Sequence, residues 1–285
     1  MTISEFLHTD QAKAPHYLLI GSPVSHSVSP VMHNTALQHY GMSASYHAVA
    51  VPMAELPTLI AHTNSPSFLG ANITIPHKET LLDVMDSFSP EALEIGAVNT
   101  IVKSNGKLVG NNTDAYGFSV PIEAYADDLA GERVILFGTG GATKAIMYAL
   151  REFGVTEIVL VSRKPGHYQT PSDDVIFCGY DNWMAYEDEA VMIVNATPLG
   201  MSPNTAASPV QDAEIAALSG KICYDIVYNP RETTFLKQAQ KAGAERTIGG
   251  LDMLIFQGAK AFELWTGKEF PTGLVSMRLN EYFPA

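Results

Sequence analysis

Polar side chains that could bind a small hydroxylated molecule follow several predicted strands in the first part of the chain. In "GANITIPHKE" an apolar strand ends at a proline and places Asn72, Thr74 and Lys78 at one end of a predicted sheet. Asn99 of "GAVNT" and Asp114 of "GNNTDAYG" follow further along the chain. A lone lysine is commonly solvated, and Asp114 could simply cap a helix. This set contains amides, hydroxyls, one lysine and one carboxylate that could hold the lysine in place. Such a set suits a polyhydroxylated ligand.

The stretch "GSPVSHSVSP", residues 21–30, adds hydroxyl groups where a predicted strand leads into a helical pattern. Pro23 and Pro30 stiffen the backbone on either side of the serines. The composition is compatible with a turn followed by a helix cap, and also with a binding socket for a small anion. The residues alone leave both interpretations open.

A glycine-rich turn in "VILFGTGGATKA" follows a predicted strand and opens a predicted helix. Gly138 and Gly140 would allow a tight turn and the close approach of a pyrophosphate to backbone N–H groups at the helix N-terminus. Thr143 replaces the third glycine of the usual pattern, so the helix is expected to pack slightly differently. The alternative is an ordinary strand-to-helix turn, but the next strand follows at the distance expected for nucleotide binding.

The residues after that next strand favour NADP over NAD. Enzymes that use NAD usually carry an acid at this point for the ribose hydroxyls, whereas a 2′-phosphate needs positive charge. The strand ends in "VLVSRKPGH", which supplies Ser162, Arg163 and Lys164, and the first acid is Asp173. An arginine can bind phosphate, and the lysine adds positive charge. The alternative interpretation is a solvated basic turn.

Strand and helix patterns alternate along the chain around these residues. In the first part, "HYLLIG", "ASYHAVAV" and "FLGANITIP" predict strands, and helices are predicted at "SPVMHNTALQHYG", at "MAELPTLIAHTN" and near "HKETLLDVM". Asn105 and Gly106 predict a hairpin within "VNTIVKSNGKLVGNNTD". After residue 115 further strands and helices follow, and "GLDMLIFQGAKAFELWTG" predicts a C-terminal helix.

This alternation predicts an α/β protein with two domains. The first is an N-terminal α/β substrate domain of residues 1–114, completed by the C-terminal helix in residues 250–285. The second is a Rossmann-like NADP-binding domain of residues 115–249.

The composition argues against several classes of function. The 285 residues are 46% hydrophobic and 16% charged, which allows a large core. The formal charge of -13 would repel nucleic acid, and no run reaches the roughly 18 apolar residues of a membrane helix. Cys178 and Cys223 lie in apolar surroundings typical of reduced core cysteines. The histidines form no HExxH motif, so we expect no metal. Because no apolar run reaches membrane length, we expect a soluble, cytoplasmic protein.

Eight motifs occur in the order and spacing seen in the shikimate dehydrogenase family. They are "SHSVSP" with "HN", "NITIPHK", "GAVNT", "NNTD", "GTGGA", "NATPLGM", "DIVYNPRETTFL" and "GLDMLIFQGA", and they extend from about residue 18 to residue 267. Each motif alone is moderately specific, but eight in register are hard to explain by accident. The sequence therefore resembles shikimate dehydrogenases over most of its length.

The resemblance implies a site for shikimate in the first domain. Ser27 and Ser29 would bind the carboxylate through their hydroxyls, without a costly buried counter-charge. Lys78 and Asp114 would form the catalytic pair. The other substrate-binding positions of the family correspond to Thr74, Asn99, Asp114 and Gln257 at the ring hydroxyls, with Asn72 and Tyr228 nearby.

The resemblance also implies which residues bind NADP. The family's glycine loop reads "GAGGA", so Thr139 departs from it by one hydroxyl. Ser162, Arg163 and Lys164 stand where the family has Asn-Arg-Thr, and a later basic position corresponds to His167 or is absent. The implied cofactor contacts are Gly138, Thr139, Gly140, Gly141, Ala142, Ser162, Arg163, Lys164, Thr197, Met201, Ile226 and Gly250, with Asn195, Thr197 and Met201 bordering the nicotinamide.

The reaction implied by the family is the reversible reduction of 3-dehydroshikimate to shikimate. Lys78, as an ammonium, would supply a proton to the carbonyl oxygen, and Asp114 would orient the lysine and accept from a substrate hydroxyl. We expect a small-molecule substrate, no nucleic-acid or membrane partner, and a monomer or homodimer.

Three alternatives to this activity remain at the level of the sequence. The nearest is a quinate/shikimate dehydrogenase of dual specificity that uses NAD or NADP. A non-catalytic regulator could bind cofactor and metabolite, but it would not need both Lys78 and Asp114. A methylene-tetrahydrofolate dehydrogenase has a similar two-domain layout, but the paired serines suit a small carboxylate better.

Overall fold

The computed structural model describes residues 1–165 and 172–282 of the chain. The chain forms two compact units. The first unit contains residues 1–116 and the C-terminal segment that begins at Ile255, and the second contains Gly117–Leu254. Each unit is built around its own sheet.

The sheet of the first unit combines parallel and antiparallel strands. Its strands are β1 (His16–Gly21), β2 (Ser45–Ala50), β3 (Phe68–Ile73), β4 (Ser87–Phe88), β5 (Thr100–Ser104) and β6 (Lys107–Asn111), in the spatial order β2-β1-β3-β5-β6-β4. β1 is parallel to both neighbours, whereas β5 is antiparallel to β3 and β6. Asn105 and Gly106 join β5 to β6 with φ values of 51° and 78°. This confirms the predicted hairpin, because a two-residue turn of this kind needs positive φ.

The second unit contains a fully parallel sheet. Its strands are β7 (Arg133–Phe137), β8 (Glu157–Val161), β9 (Val175–Cys178), β10 (Ala190–Asn195), β11 (Ile222–Asp225) and β12 (Arg246–Gly249), in the order β12-β11-β10-β7-β8-β9. This is the strand order of a dinucleotide-binding fold, in which ligands bind where the order reverses. That reversal lies between β7 and β10. The glycine loop follows β7 and therefore starts at this point.

Helices precede, connect and follow the strands of the two sheets. In chain order they are α1 (Ile3–Leu7), α2 (Ser29–His39), α3 (Leu56–Thr63), α4 (Pro90–Ile95), α5 (Asp114–Ser119), α6 (Ala126–Leu129), α7 (Thr143–Glu152), α8 (Thr234–Ala242), α9 (Gly250–Thr266) and α10 (Thr272–Asn280). The helix predicted near "HKETLLDVM" was wrong, because this segment forms turns and a short 3₁₀ helix, Leu82–Val84. The Lys78 carbonyl there accepts from the distant Val98 N–H at 2.9 Å.

Each unit has its own apolar core. Leu18 and Phe68 belong to the core of the first unit, and Ile135 and Trp183 belong to that of the second. In the part of the chain that the structure describes, no helix combines the length and the apolar character needed to cross a membrane.

Candidate active site

Lys78 and Asp114 form a largely buried ion pair in the first unit. The Lys78 Nζ atom donates a hydrogen bond to Asp114 Oδ2, and the two side chains are 13% and 10% exposed. Lys78 lies in the turn after β3, and Asp114 is the first residue of α5. A solvated lysine would extend into water, so the burial and the pairing favour a functional role for both groups.

Asn99 holds the other oxygen of the Asp114 carboxylate. Its Nδ2 atom donates to Asp114 Oδ1 at 2.8 Å, and its Oδ1 atom accepts from the Thr113 backbone N–H at 2.7 Å. Because a backbone N–H can only donate, this second contact fixes the orientation of the Asn99 amide. Asn99 is 2% exposed. The carboxylate is thus held from two sides by groups with little freedom.

Asn72 and Thr74 lie at the C-terminal end of β3 in different surroundings. Asn72 is buried, its Oδ1 accepts from the Tyr46 hydroxyl at 2.8 Å, and its Nδ2 donates to Thr100 Oγ1 at 3.0 Å. Both polar atoms of this side chain are therefore engaged within the unit. Thr74 is half-buried and lies against the end of β1, where a Cβ added to Gly21 would be 2.3 Å from Thr74 Cγ2.

The serine-rich segment of residues 21–30 begins beside the end of β3 and leads into α2. The Ser22 N–H donates to the Ile75 carbonyl at 2.9 Å. Further along, Ser27 Oγ donates to Ser29 Oγ at 3.1 Å and accepts from the Ser29 N–H at 3.2 Å. Ser27 therefore completes a turn, and the two hydroxyls lie together at the N-terminus of an 11-residue helix. Helix N-termini favour anions, so the turn and the anion socket are compatible interpretations.

The two remaining predicted substrate contacts belong to different units. Gln257 is half-buried on α9 and belongs to the first unit, together with the serines, Lys78 and Asp114. Tyr228 follows β11 and belongs to the second unit. Burial raises the pKa of the Tyr228 hydroxyl, so it stays protonated and able to donate. Among the predicted substrate residues, direct hydrogen bonds join Lys78 to Asp114, Asp114 to Asn99, Asn72 to the Asn99 carbonyl, and Ser27 to Ser29.

The glycine loop between β7 and α7 has the geometry and the space that a dinucleotide needs. Gly138 has a φ of 106°, and a Cβ there would lie 2.9 Å from the Ala196 backbone. A Cβ at Gly140 would meet no atom within 4 Å, which leaves room for a phosphate beside the backbone. Thr143 replaces the third glycine, and its Oγ1 donates to the Gly138 carbonyl at 3.0 Å. Thr139, Gly141 and Ala142 complete this loop. Its residues therefore fit the cofactor.

The basic pair after β8 is available to a ligand. Arg163 and Lys164 are exposed, whereas Ser162 is buried and its Oγ accepts from the Lys164 N–H at 3.2 Å. Burial raises the pKa of the Tyr180 hydroxyl, and the positive charge of Arg163 opposes that rise. The end of β8 is thus electropositive. His167, the predicted later basic position, lies outside the described residues.

Asn195 and Asp225 form a buried polar cluster where β10 and β11 end. Asn195 Oδ1 accepts from the Thr197 N–H at 3.0 Å and from Thr197 Oγ1 at 2.6 Å, and its Nδ2 donates to Asp225 Oδ1 at 3.0 Å. Burial raises the pKa of Asp225 to about 7, against the effect of hydrogen bonds from Thr233, Val227 and Asn195. This cluster holds the backbone that carries Thr197.

Two further predicted cofactor contacts lie against each other near this cluster. A Cβ at Gly250 would be 2.1 Å from the Ile226 carbonyl oxygen, so α9 can begin here only with glycine. The Ile226 N–H donates to the Asn195 carbonyl at 3.0 Å. Met201 is exposed in the segment that follows β10.

Neither a metal centre nor a reactive thiol is found within residues 1–165 and 172–282. No group of three or more His, Cys, Asp or Glu side chains in these residues could hold a metal ion. Cys178 and Cys223 are both free and buried. Burial raises the pKa of both thiols, that of Cys223 to about 12, so they stay protonated at neutral pH.

Comparison with known proteins identifies the family. Residues 19–101 match the family model of the shikimate dehydrogenase substrate binding domain, and residues 250–279 match that of the shikimate 5'-dehydrogenase C-terminal domain. A shikimate dehydrogenase (NADP(+)) of Moorella thermoacetica is 40% identical over 273 residues, which is 92% of each chain. The chain belongs to the shikimate dehydrogenase family. The resemblance drawn from the eight motifs is therefore confirmed.

Solved structures of similar dehydrogenases share the fold. The shikimate 5-dehydrogenase of Thermus thermophilus, in complex with NADP(H) and shikimate, has a TM-score of 0.81 and 35% identity over 94% of this chain and 99% of that chain. The quinate dehydrogenase of Corynebacterium glutamicum, in complex with NAD, has a TM-score of 0.84 and 29% identity over 94% and 99%. The predicted fold class, an α/β protein with a Rossmann-like domain, is confirmed.

Asp225, Thr100 and Tyr46 contact predicted site residues but were not predicted from the sequence. Asp225 opens "DIVYNPRETTFL" and ends an apolar strand, which is a detectable signal for a buried acid. Thr100 is the last residue of "GAVNT", so its motif was recognised but its contacts were not. Tyr46 lies within the strand-like run "ASYHAVAV", where no local pattern distinguishes it from a core aromatic residue.

Proposed function

We propose that this protein catalyses the NADP-dependent, reversible reduction of 3-dehydroshikimate to shikimate. The proposal depends on one observation above all, the buried Lys78–Asp114 pair in a chain of the shikimate dehydrogenase family. Reduction of a ketone to an alcohol needs a proton donor beside the oxygen that becomes negative. An ammonium oriented by a carboxylate supplies both a stabilising charge and that proton.

The chain's own groups handle the proton in this mechanism. NADPH, when bound, supplies the hydride that reduces the ketone carbon. Lys78 Nζ stabilises the charge that develops on the substrate oxygen and transfers a proton to it, which completes the hydroxyl. Asp114 accepts from Lys78 and from Asn99, so it keeps the ammonium oriented while it accepts from a neighbouring substrate hydroxyl. In the reverse direction the neutral amine of Lys78 takes the hydroxyl proton.

The remaining polar groups of the first unit have roles in holding the substrate. The hydroxyls of Ser27 and Ser29, which lie 3.1 Å apart, bind the carboxylate without a buried cation. Thr74, Asn99 and Gln257 bind ring hydroxyls, and the contacts assigned by family resemblance also include Asn72 and Tyr228. In this proposal residues 1–114 with 250–285 form the substrate domain.

Residues 115–249 form the NADP domain in the same proposal. The loop from Gly138 to Ala142 binds the pyrophosphate, because Gly140 leaves open space beside the backbone. Ser162, Arg163 and Lys164 bind the 2′-phosphate. Contacts toward the nicotinamide come from Thr197, Met201, Ile226 and Gly250.

We also propose that the protein works in the cytoplasm as a monomer or homodimer and binds no nucleic acid. Its two cysteines are free and buried, which suits a reducing compartment. Its formal charge of -13 opposes binding to a polyanion.

The test is a steady-state assay that crosses shikimate and quinate with NADP and NAD and follows the absorbance of the reduced nicotinamide. We expect the highest kcat/KM with shikimate and NADP. No oxidation of shikimate with either cofactor would contradict the function. A higher kcat/KM with quinate and NAD would favour the activity named for the Corynebacterium glutamicum protein instead.

A further inference from the structure

A chain of side-chain hydrogen bonds leads from the interior of the first unit toward Asp114. The Tyr46 hydroxyl donates to Asn72 Oδ1 at 2.8 Å, and Asn72 Nδ2 donates to Thr100 Oγ1 at 3.0 Å. Asn72 and Thr100 are direct partners in the antiparallel pairing of β3 and β5. The contact between them is therefore set by the register of the sheet.

The same chain continues through Asn99 to the carboxylate. Thr100 Oγ1 donates to Asn99 Oδ1 at 2.9 Å, and Asn99 Nδ2 donates to Asp114 Oδ1 at 2.8 Å. The backbone carbonyl of Asn99 can only accept a hydrogen bond, and its oxygen lies 3.5 Å from Asn72 Nδ2. This contact fixes the orientation of the Asn72 amide. Every donor in the chain consequently points toward Asp114, whose other oxygen accepts from Lys78.

We propose that Tyr46, Asn72 and Thr100 are positioning residues that, together with the Thr113 backbone N–H, hold Asn99 in the orientation that presents its N–H to Asp114. This inference rests on the function proposed for Lys78 and Asp114. The three residues act through Asn99, so none of them is a catalytic residue. The Asn72 side chain then has this role as well as the place near the substrate that the family resemblance implies.

The outer end of the chain is built to remain a donor. Tyr46 is 1% exposed, and its ring stacks on that of His33 with centroids 4.4 Å apart. The Tyr46 backbone carbonyl and N–H are both bonded to the Asn34 side chain at 2.9 Å, which fixes the tyrosine in place. Burial raises the pKa of the Tyr46 hydroxyl well above its ordinary value. The phenol therefore keeps the proton that it donates to Asn72.

Loss of the Thr100 hydroxyl would interrupt the chain at its centre. Asn72 Nδ2 would keep only the Asn99 backbone carbonyl at 3.5 Å, and Asn99 Oδ1 would lose one of its donors. Thr100 is buried, and a buried polar group without a partner is costly. Both amides keep the backbone contacts that set their orientation, but each loses one side-chain partner, so Asn99 would hold Asp114 less firmly.

Two substitutions at position 100 separate the hydroxyl from the methyl group. Thr100→Val keeps the size and removes the hydroxyl, whereas Thr100→Ser keeps the hydroxyl and removes the methyl. We expect Thr100→Val to lower kcat about tenfold and to raise the KM for shikimate, with the KM for NADP unchanged. Thr100→Ser should recover most of the lost turnover. If Thr100 served only to pack the core, Thr100→Ser would be the slower variant, and that result would overturn the inference.

Tyr46→Phe tests the outer end of the same chain. We expect it to lower kcat about threefold without changing the KM for NADP, because Asn72 loses its donor but keeps Thr100. If Thr100→Val does not fold, Tyr46→Phe still tests the inference. A kcat of Tyr46→Phe equal to that of the wild type would refute it.

The matched control is Thr63→Val, since Thr63 is also buried and its Oγ1 donates to the Ile60 carbonyl at 2.8 Å, outside the chain. Its kcat should equal that of the wild type even where its Tm falls. A kcat loss equal to that of Thr100→Val would overturn the inference. A wild-type protein that does not oxidise shikimate would refute the proposed function, which is a separate outcome.

Discussion

Replacing Lys78 by Met removes the proton donor while a side chain of similar length still fills the space. General acid–base assistance contributes roughly 10²–10⁴ to a rate, so we expect kcat to fall by roughly 10²–10⁴. The KM for shikimate should change by less than about tenfold, because the hydroxyl and amide contacts proposed for Ser27, Ser29 and Thr74 remain. The expected result is thus a defect in turnover and not in binding.

The same substitution leaves the Asp114 carboxylate without its charged partner. This side chain is 10% exposed, and Asn99 still donates to it at 2.8 Å. A hydrogen bond to a charged group contributes about 1.5–3 kcal/mol, so the free energy of unfolding should fall by about 2 kcal/mol. That loss is smaller than the ~5–15 kcal/mol typical of a folded protein. The variant should therefore remain folded.

The double variant Lys78→Met/Asp114→Asn separates catalysis from stability. Because it removes the unpaired charge, it should recover part of the lost unfolding free energy without recovering kcat. Steady-state kinetics in both directions and urea unfolding on the same preparations measure the two quantities. Lys107→Met is the matched control, since Lys107 is exposed on β6, and both its kcat and its stability should match those of the wild type.

A folded Lys78→Met variant whose kcat stays within about tenfold of the wild type would refute the assignment of Lys78 as proton donor. A raised KM with an intact kcat would show instead that Lys78 only binds the substrate.

Three further outcomes are expected in the second unit. Arg163→Ala should raise the KM for NADP about tenfold or more and leave that for NAD unchanged, because only the 2′-phosphate loses a charged partner; equal changes for both cofactors in steady-state assays would contradict this. Gly138→Ala should prevent NADPH binding in a fluorescence titration, because its Cβ would lie 2.9 Å from the Ala196 backbone at a φ of 106°, and tight binding by this variant would show that the loop adapts. The pKa of Asp225 is raised from 3.8 to about 7 in the folded protein. Between these values the folded state keeps a proton on Asp225 that the unfolded state has lost. The contribution of Asp225 to stability therefore falls as the pH rises from about 4 to about 7. Relative to Asp225→Asn, the wild type should lose up to about 1.4 kcal/mol of unfolding free energy per pH unit across that interval, and parallel urea-unfolding profiles for the two proteins would contradict this.

The local features around the site could be predicted from the sequence because they depend on residues that are close together in the chain. Asn105 and Gly106 tolerate positive φ, so the hairpin follows from two neighbouring residues. Gly138 follows an apolar strand and precedes a helix, so the loop that it begins is also a local pattern. The eight motifs add the family, because their order along the chain is itself part of the sequence.

The error near "HKETLLDVM" has a different origin. The apolar spacing there suits a helix, but the Lys78 carbonyl accepts from Val98, 20 positions further along the chain, at 2.9 Å. That long-range bond belongs to the tertiary structure and competes with helix formation. The turn that results carries the lysine to Asp114.

The residue types and their order already encode the alternation of strands and helices and the family. The tertiary fold brings Tyr46, Asn72, Thr100 and Asn99 into one directed chain of donors. It also buries Asp225 beside the loop that carries Thr197. Local sequence patterns do not predict these contacts, because the hydrogen bonds depend on which strands are neighbours and on their register. A shift of one residue between β3 and β5 would turn Thr100 away from Asn72, and no local pattern in the chain records that register.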